Sequence, residues 1–113
     1  MHEMSLAESV LQIAEDTARS NGGSRISLVL LEIGQLAGVE IEALRFCFEA
    51  ASRESLAAGA ALVIEQPDGQ AWCMPCGETV RLSKLADPCP RCGSHQLQVT
   101  GGNELKVREI EIH

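Results

Sequence analysis

The sequence predicts an α+β fold: two helices packed on a three-stranded sheet, interrupted by an inserted zinc-ribbon domain built on four cysteines. Two stretches with apolar residues at helical spacing, three with strand character, and four of the five cysteines gathered in the middle of the chain carry that prediction. At 113 residues there is room for one compact unit, or for one small domain carrying a smaller stapled one, which excludes a multidomain enzyme.

Ser5 followed three residues later by Glu8 has the form of a capping box, and Leu6, Val10, Ile13, Ala14, Thr17 and Ala18 fall on one helical face. A first helix over about Ser5 to Ser20 is expected, stopped by Asn21-Gly22-Gly23. From Ile26 to Ile33 apolar residues occupy both strand faces, the pattern of a central strand covered on each side. Ile41, Leu44, Cys47, Phe48, Ala51 and Leu56 recur at helical spacing before Gly59, which predicts a second helix over about Glu40 to Ala58. Cys47 on that face reads as a small buried hydrophobe. Ala61 to Glu65 is a further short strand. Glu104 to Ile112 alternates with a change of phase, Leu105 and Val107 on odd positions and Ile110 and Ile112 on even ones, which a bulge near Arg108-Glu109 would reconcile.

Composition shifts at Gln66-Pro67-Asp68-Gly69 and again at Gly101-Gly102-Asn103. The expected organisation is therefore a discontinuous α+β domain of residues 1-68 plus 101-113, with a zinc-binding domain at 69-100 inserted before its last strand. Nine Lys and Arg against 16 Asp and Glu give a net charge of −7, so the basic surface that phosphate backbones need is missing, and no nucleic acid is expected as a partner. The only aromatics are Trp72, Phe46 and Phe48, too few for a base-stacking platform. The longest apolar run, Leu56 to Ile64, is nine residues, so no membrane insertion is expected. Met-His-Glu-Met-Ser offers no secretory signal, and a cytoplasmic protein with reduced thiols is the expectation.

Cys73-Met-Pro-Cys76-Gly77 and Cys89-Pro-Arg-Cys92-Gly93 are matched CxxCG knuckles separated by twelve residues. Two intervening residues let both sulfurs of a pair turn to one point, and the following glycine can take a positive φ that brings backbone N–H groups toward the thiolates. Two such hairpins supply a closed tetrahedral shell for structural Zn(II), with no open position for catalysis. A rubredoxin-like iron site and a redox dithiol pair are the competing readings of the spacing. An insertion of roughly 30 residues is too short to fold unaided, so the ion must stabilise it. Four thiolates and one Zn²⁺ carry −2, taking the formal charge to −9.

The start, Met1-His2-Glu3, suits a different metal. The free amine of Met1, the deprotonated amide of His2 and its imidazole can close fused chelate rings and place three nitrogens in a plane, with Glu3 or a second histidine as fourth ligand. That is the tetragonal geometry of Ni(II) and Cu(II). His2 is large enough that Met1 should be retained, and any extension of the chain would destroy the chelate. The affinity order ends Ni²⁺ < Cu²⁺ > Zn²⁺, so nickel selectivity must come from delivery and partners. Glu3 and Glu8 also have a sufficient role as partners of the helix dipole. His95, just after the second knuckle, is a surface residue or reaches the nickel site; His113 is expected to be solvated.

Met1-His2-Glu3-Met4-Ser5, Glu32-Ile33-Gly34, Phe46-Cys47-Phe48-Glu49, both knuckles and Gly102-Asn103-Glu104-Leu105 together resemble the HypA/HybF family of hydrogenase-maturation nickel chaperones over essentially the whole chain. The resemblance implies a non-enzymatic role in loading Ni(II) into the [NiFe]-hydrogenase large subunit, cooperation with a nickel-loading GTPase and, in some members, a link to urease. It also implies His2 as principal nickel ligand beside the Met1 amine and Glu3, and Cys73, Cys76, Cys89 and Cys92 as zinc ligands. A homodimer is admitted by these features without being required. Some relatives carry histidine directly after a knuckle cysteine, where this chain has Gly77 and Gly93, leaving His95 as the nearby imidazole. A zinc-ribbon protein-interaction adaptor without a nickel role is the alternative.

Overall fold

A computed structural model describes residues 2–113. The elements in order are α1 (Glu3–Ser20), β1 (Ile26–Ile33), α2 (Ile41–Ser52), β2 (Ala61–Glu65), β3 (Gly69–Cys73), β4 (Glu78–Leu82), β5 (Leu97–Gly101) and β6 (Leu105–Ile112). They form two compact units. The first comprises Met1–Leu31, Val39–Ile64 and Lys106–His113; the second comprises Glu32–Gly38 and Glu65–Leu105.

In the first unit α1 packs against α2, and the sheet has the order β2-β1-β6. β1 is the central strand, as its apolar residues on both faces predict, and Ile26, Val29, Leu31 and Ile33 are all buried. Arg25 and His113 exchange backbone hydrogen bonds at the start of β1, and the Gly34 N–H donates to Glu104 at its end, so β6 runs antiparallel to β1. The Ile26 N–H donates to Leu56 and the Gln35 N–H to Pro67, so β2 runs parallel to β1, with α2 as the crossover. Burial along β6 changes phase across Arg108-Glu109, both exposed, where the sequence does.

Helix boundaries differ from the sequence reading for local reasons. α1 begins at Glu3, with His2 as N-cap, because the His2 carbonyl already accepts the Leu6 N–H at 3.1 Å. Ser5 and Glu8 are exposed residues of its first turns and not its cap. The buried stripe is Ala7, Val10, Leu11, Ala14 and Ala18, which rotates Ile13 and Thr17 out to solvent. Its end is where Asn21-Gly22-Gly23 predicts, with Gly22 at φ 74°. α2 stops at Ser52, short of Ala58. The Ser55 hydroxyl and N–H both turn to the Ser52 carbonyl, and the Ala57 N–H turns to the Ser55 hydroxyl, so serine side chains take over the ladder. On α2, Phe48 is 2% exposed, Phe46 is 69% exposed, and Cys47 is half-buried.

The second unit is an antiparallel sheet of order β4-β3-β5. One face of β3, with Gly69, Ala71 and Cys73, is buried. Leu36, from the segment after β1, is 3% exposed in a core cluster with Ala71 and Leu82, against which Leu97 and Val99 pack. Nothing in the spacing around Leu36 marks it as a core residue of this unit. It is held there by close backbone crossings: a Cβ on Gly34 would collide with the Gly102 backbone, and Gly102, at φ 79°, would meet Asp68 and Gly69. The Leu36 N–H closes the crossing on the Gly102 carbonyl at 2.7 Å.

Candidate functional site

Cys73 ends β3, Cys76 lies in the four-residue turn to β4, and Cys89 and Cys92 flank a second turn before β5. The two turns are built alike. In each the glycine after the second cysteine has a positive φ, 65° at Gly77 and 75° at Gly93. Each of those glycines donates its N–H to the carbonyl of the first cysteine, Cys73 at 2.8 Å and Cys89 at 2.9 Å. An αL residue closes the loop so that both sulfurs face one point.

The four sulfurs lie within 4.8 Å of one another, with Cys73 to Cys92 at 3.6 Å and Cys76 to Cys89 at 3.9 Å. A tetrahedron of thiolates at Zn–S of about 2.3 Å has sulfurs about 3.8 Å apart. The donor set therefore fits a tetrahedral tetrathiolate ion, and it is the cluster of three or more candidate ligands found among the described residues. Cys73 and Cys89 are buried in a small core with Val80, Cys76 is half-buried, and Cys92 is exposed.

The thiols are shifted in opposite directions. Cys76 is pushed up to about 12, first by hydrogen bonding with the Cys92 thiol and then with Cys73. Burial raises Cys73. Cys89 is pulled down to about 7, chiefly by the Cys92 N–H, with the Arg91 N–H, 3.4 Å from its sulfur, adding to it against desolvation. Thiols packed this closely share protons until a metal replaces them. The Arg91 guanidinium forms an ion pair with Glu78, across from its own knuckle, a contact that sequence spacing does not announce.

The other candidate ligands stand as follows. Met1 lies outside the described residues. His2 is exposed at the N-cap of α1 and makes no side-chain cap bond. Glu3 opens the helix, and its Oε2 accepts the Glu40 N–H at 3.1 Å, which holds its carboxyl below the usual range. His95 is exposed in the second unit, and its carbonyl accepts the Leu97 N–H at 2.9 Å. His113, expected to be solvated, is exposed but shares a 2.8 Å hydrogen bond with the Ser27 hydroxyl. Among the described residues, no helix is long and apolar enough to cross a membrane.

Comparison with known proteins supplies the context for these sites. The family described as hydrogenase/urease nickel incorporation, metallochaperone, HypA matches residues 1–112. The hydrogenase maturation factor HypA of Dechloromonas aromatica is 60% identical over 112 residues, covering 99% of each chain. The same-named factor of Albidiferax ferrireducens is 55% identical, again over 99% of each. The solution structure of the Ni metallochaperone HypA from Helicobacter pylori superposes with a TM-score of 0.69 at 26% identity, covering 99% of this chain and 97% of that one. The fold, the tetrathiol centre and these matches agree: the chain belongs to the HypA family of metallochaperones for nickel incorporation into hydrogenase and urease, maturation factors and not catalysts.

Proposed function

We propose that this chain carries Ni(II) on its amino-terminal Met1-His2-Glu3 and hands it to the [NiFe]-hydrogenase large subunit, in concert with a nickel-loading GTPase of the maturation system in the cytoplasm. Zn(II) on Cys73, Cys76, Cys89 and Cys92 is structural and stabilises a zinc-binding domain inserted at about 69-100, which serves as a docking surface. The observation that carries the nickel reading is the position of His2. As N-cap of α1 it contributes its carbonyl to the helix, while its own N–H is among the helix-terminal donors with no intrahelical acceptor. Deprotonating that amide for a metal breaks no helical hydrogen bond. The anionic nitrogen also meets the positive end of the helix dipole, which offsets part of the repulsion the dipole exerts on the ion.

Glu3 can join the chelate without leaving α2, since its bond to the Glu40 N–H uses Oε2 and a metal contact through Oε1 need not break it. His95 is a candidate fourth ligand. Release proceeds by ligand exchange, one donor at a time, which an exposed terminal site allows and an enclosed one does not.

Spectroscopic nickel titration of untagged protein tests this reading. His2→Ala is expected to abolish stoichiometric nickel uptake and leave zinc content unchanged. Tight nickel binding by that variant overturns the assignment, and an unextended wild-type chain that takes up no nickel leaves the zinc-ribbon adaptor in its place.

A further inference from the structure

The zinc shell is uneven: Cys73 and Cys89 are buried residues, whereas Cys92 is an exposed one, so the second knuckle is the side of the cluster nearer to solvent. Loss of the metal requires the second knuckle to swing away from the first. Arg91 lies between Cys89 and Cys92 and engages both sides of that motion. Its backbone N–H donates to the Cys89 sulfur at 3.4 Å, and its guanidinium pairs with Glu78. Glu78 is the first residue of β4 and the register partner of Cys73. The pair therefore ties the second knuckle to the hairpin of the first without passing through the metal.

We propose that Arg91 is a positioning residue for the zinc centre, its ion pair with Glu78 clipping the two knuckles together and setting how slowly the tetrathiolate gives up its ion. The clip leaves the ligand set unchanged and raises the barrier to opening at Cys92. In a protein that meets a second divalent ion by profession, slow opening keeps that ion out of the sulfur site. The inference rests on zinc occupying the four cysteines and is independent of where nickel binds.

The test is the rate of zinc transfer from the full-length, zinc-loaded chain to the chromophoric chelator 4-(2-pyridylazo)resorcinol. Arg91 is 65% and Glu78 44% exposed, so the effect is that of a surface pair. Arg91→Ala and Glu78→Gln are each expected to speed release roughly one-and-a-half- to fivefold at low salt. The double variant should be no faster than either single one, Arg91→Lys should retain part of the slow rate, and the difference from wild type should collapse at about 1 M salt. Release at the wild-type rate from both single variants, or accelerations that multiply in the double variant, overturn the clip. Zinc content per chain, measured first, separates the two questions: a wild-type chain without zinc refutes the zinc reading itself. Should Arg91→Ala fail to fold, Glu78→Gln, which keeps its shape, decides alone.

Discussion

Replacing Leu36 with alanine should loosen the grip of the four cysteines on their metal, although residue 36 lies 37 positions before the first of them. Leu36 is 3% exposed among Ala71, Leu82, Leu97 and Val99, and Leu97 also packs against the small core that holds Cys73 and Cys89. Leucine to alanine removes three carbons, which at about 0.8 kcal/mol per buried CH₂ loses about 2.4 kcal/mol. The cavity left behind adds to that, within the range of about 2–5 kcal/mol for such changes. With folding of this unit coupled to its ion, as proposed above, the loss would appear as weaker metal binding, about fifty-fold at about 1.4 kcal/mol per tenfold. Competition for zinc against a chelator of known affinity measures it on the full chain. Leu36→Met, which nearly conserves volume, should cost less than about 1.5 kcal/mol. Zinc affinity of Leu36→Ala within about threefold of wild type would refute the claim that this loop residue belongs to the core of the metal unit.

Two further outcomes follow from the same geometry. Zinc uptake should release protons and tighten as pH rises from about 6 to 8, because Cys76, at about 12, and the burial-raised Cys73 are protonated in the metal-free cluster, while Cys89, near 7, ionises first. Calorimetry in buffers of different ionisation enthalpy counts the protons, and an affinity flat with pH contradicts the shared-proton cluster. Gly22→Ala, at φ 74° with nothing within 4 Å of the new Cβ, should cost only the roughly 1–2 kcal/mol of a left-handed alanine. Gly102→Ala, at φ 79° and facing the Asp68 and Gly69 backbone, should cost clearly more. Equal urea midpoints for the two variants would show that the close crossing carries no cost of its own.

What could be read from the sequence was what is encoded locally. β1 announces itself because a strand covered on both faces carries apolar residues on odd and even positions alike, here interrupted by Ser27 and Glu32, and the knuckles because metal geometry fixes both the spacing and the glycine that follows. The strand at 105–112 is legible for a similar reason, its alternation being a property of a few consecutive residues, and the one at 61–65 shows as a short apolar run. Helix ends were less legible because two signals competed. Ser5 offers a cap, but the chain already turns helical at Glu3, whose carboxylate is drawn to the Glu40 N–H 37 residues away. Serines 52 and 55 end α2 through side-chain bonds that apolar periodicity does not register. Leu36 and the Arg91 to Glu78 pair were invisible, since each acquires its role only once distant segments meet.

The pairing of the last strand with the first has a consequence for biogenesis. β1 is complete by residue 33, yet its antiparallel neighbour β6 begins only at residue 105, so the ribosome must deliver nearly the whole chain before that sheet can close. The four knuckle cysteines emerge earlier, between those two strands, and can capture an ion while the sheet of β1 and β6 is still open. Where folding of that lobe is coupled to its ion, as proposed above, metal supplied during translation would act on an unfinished protein.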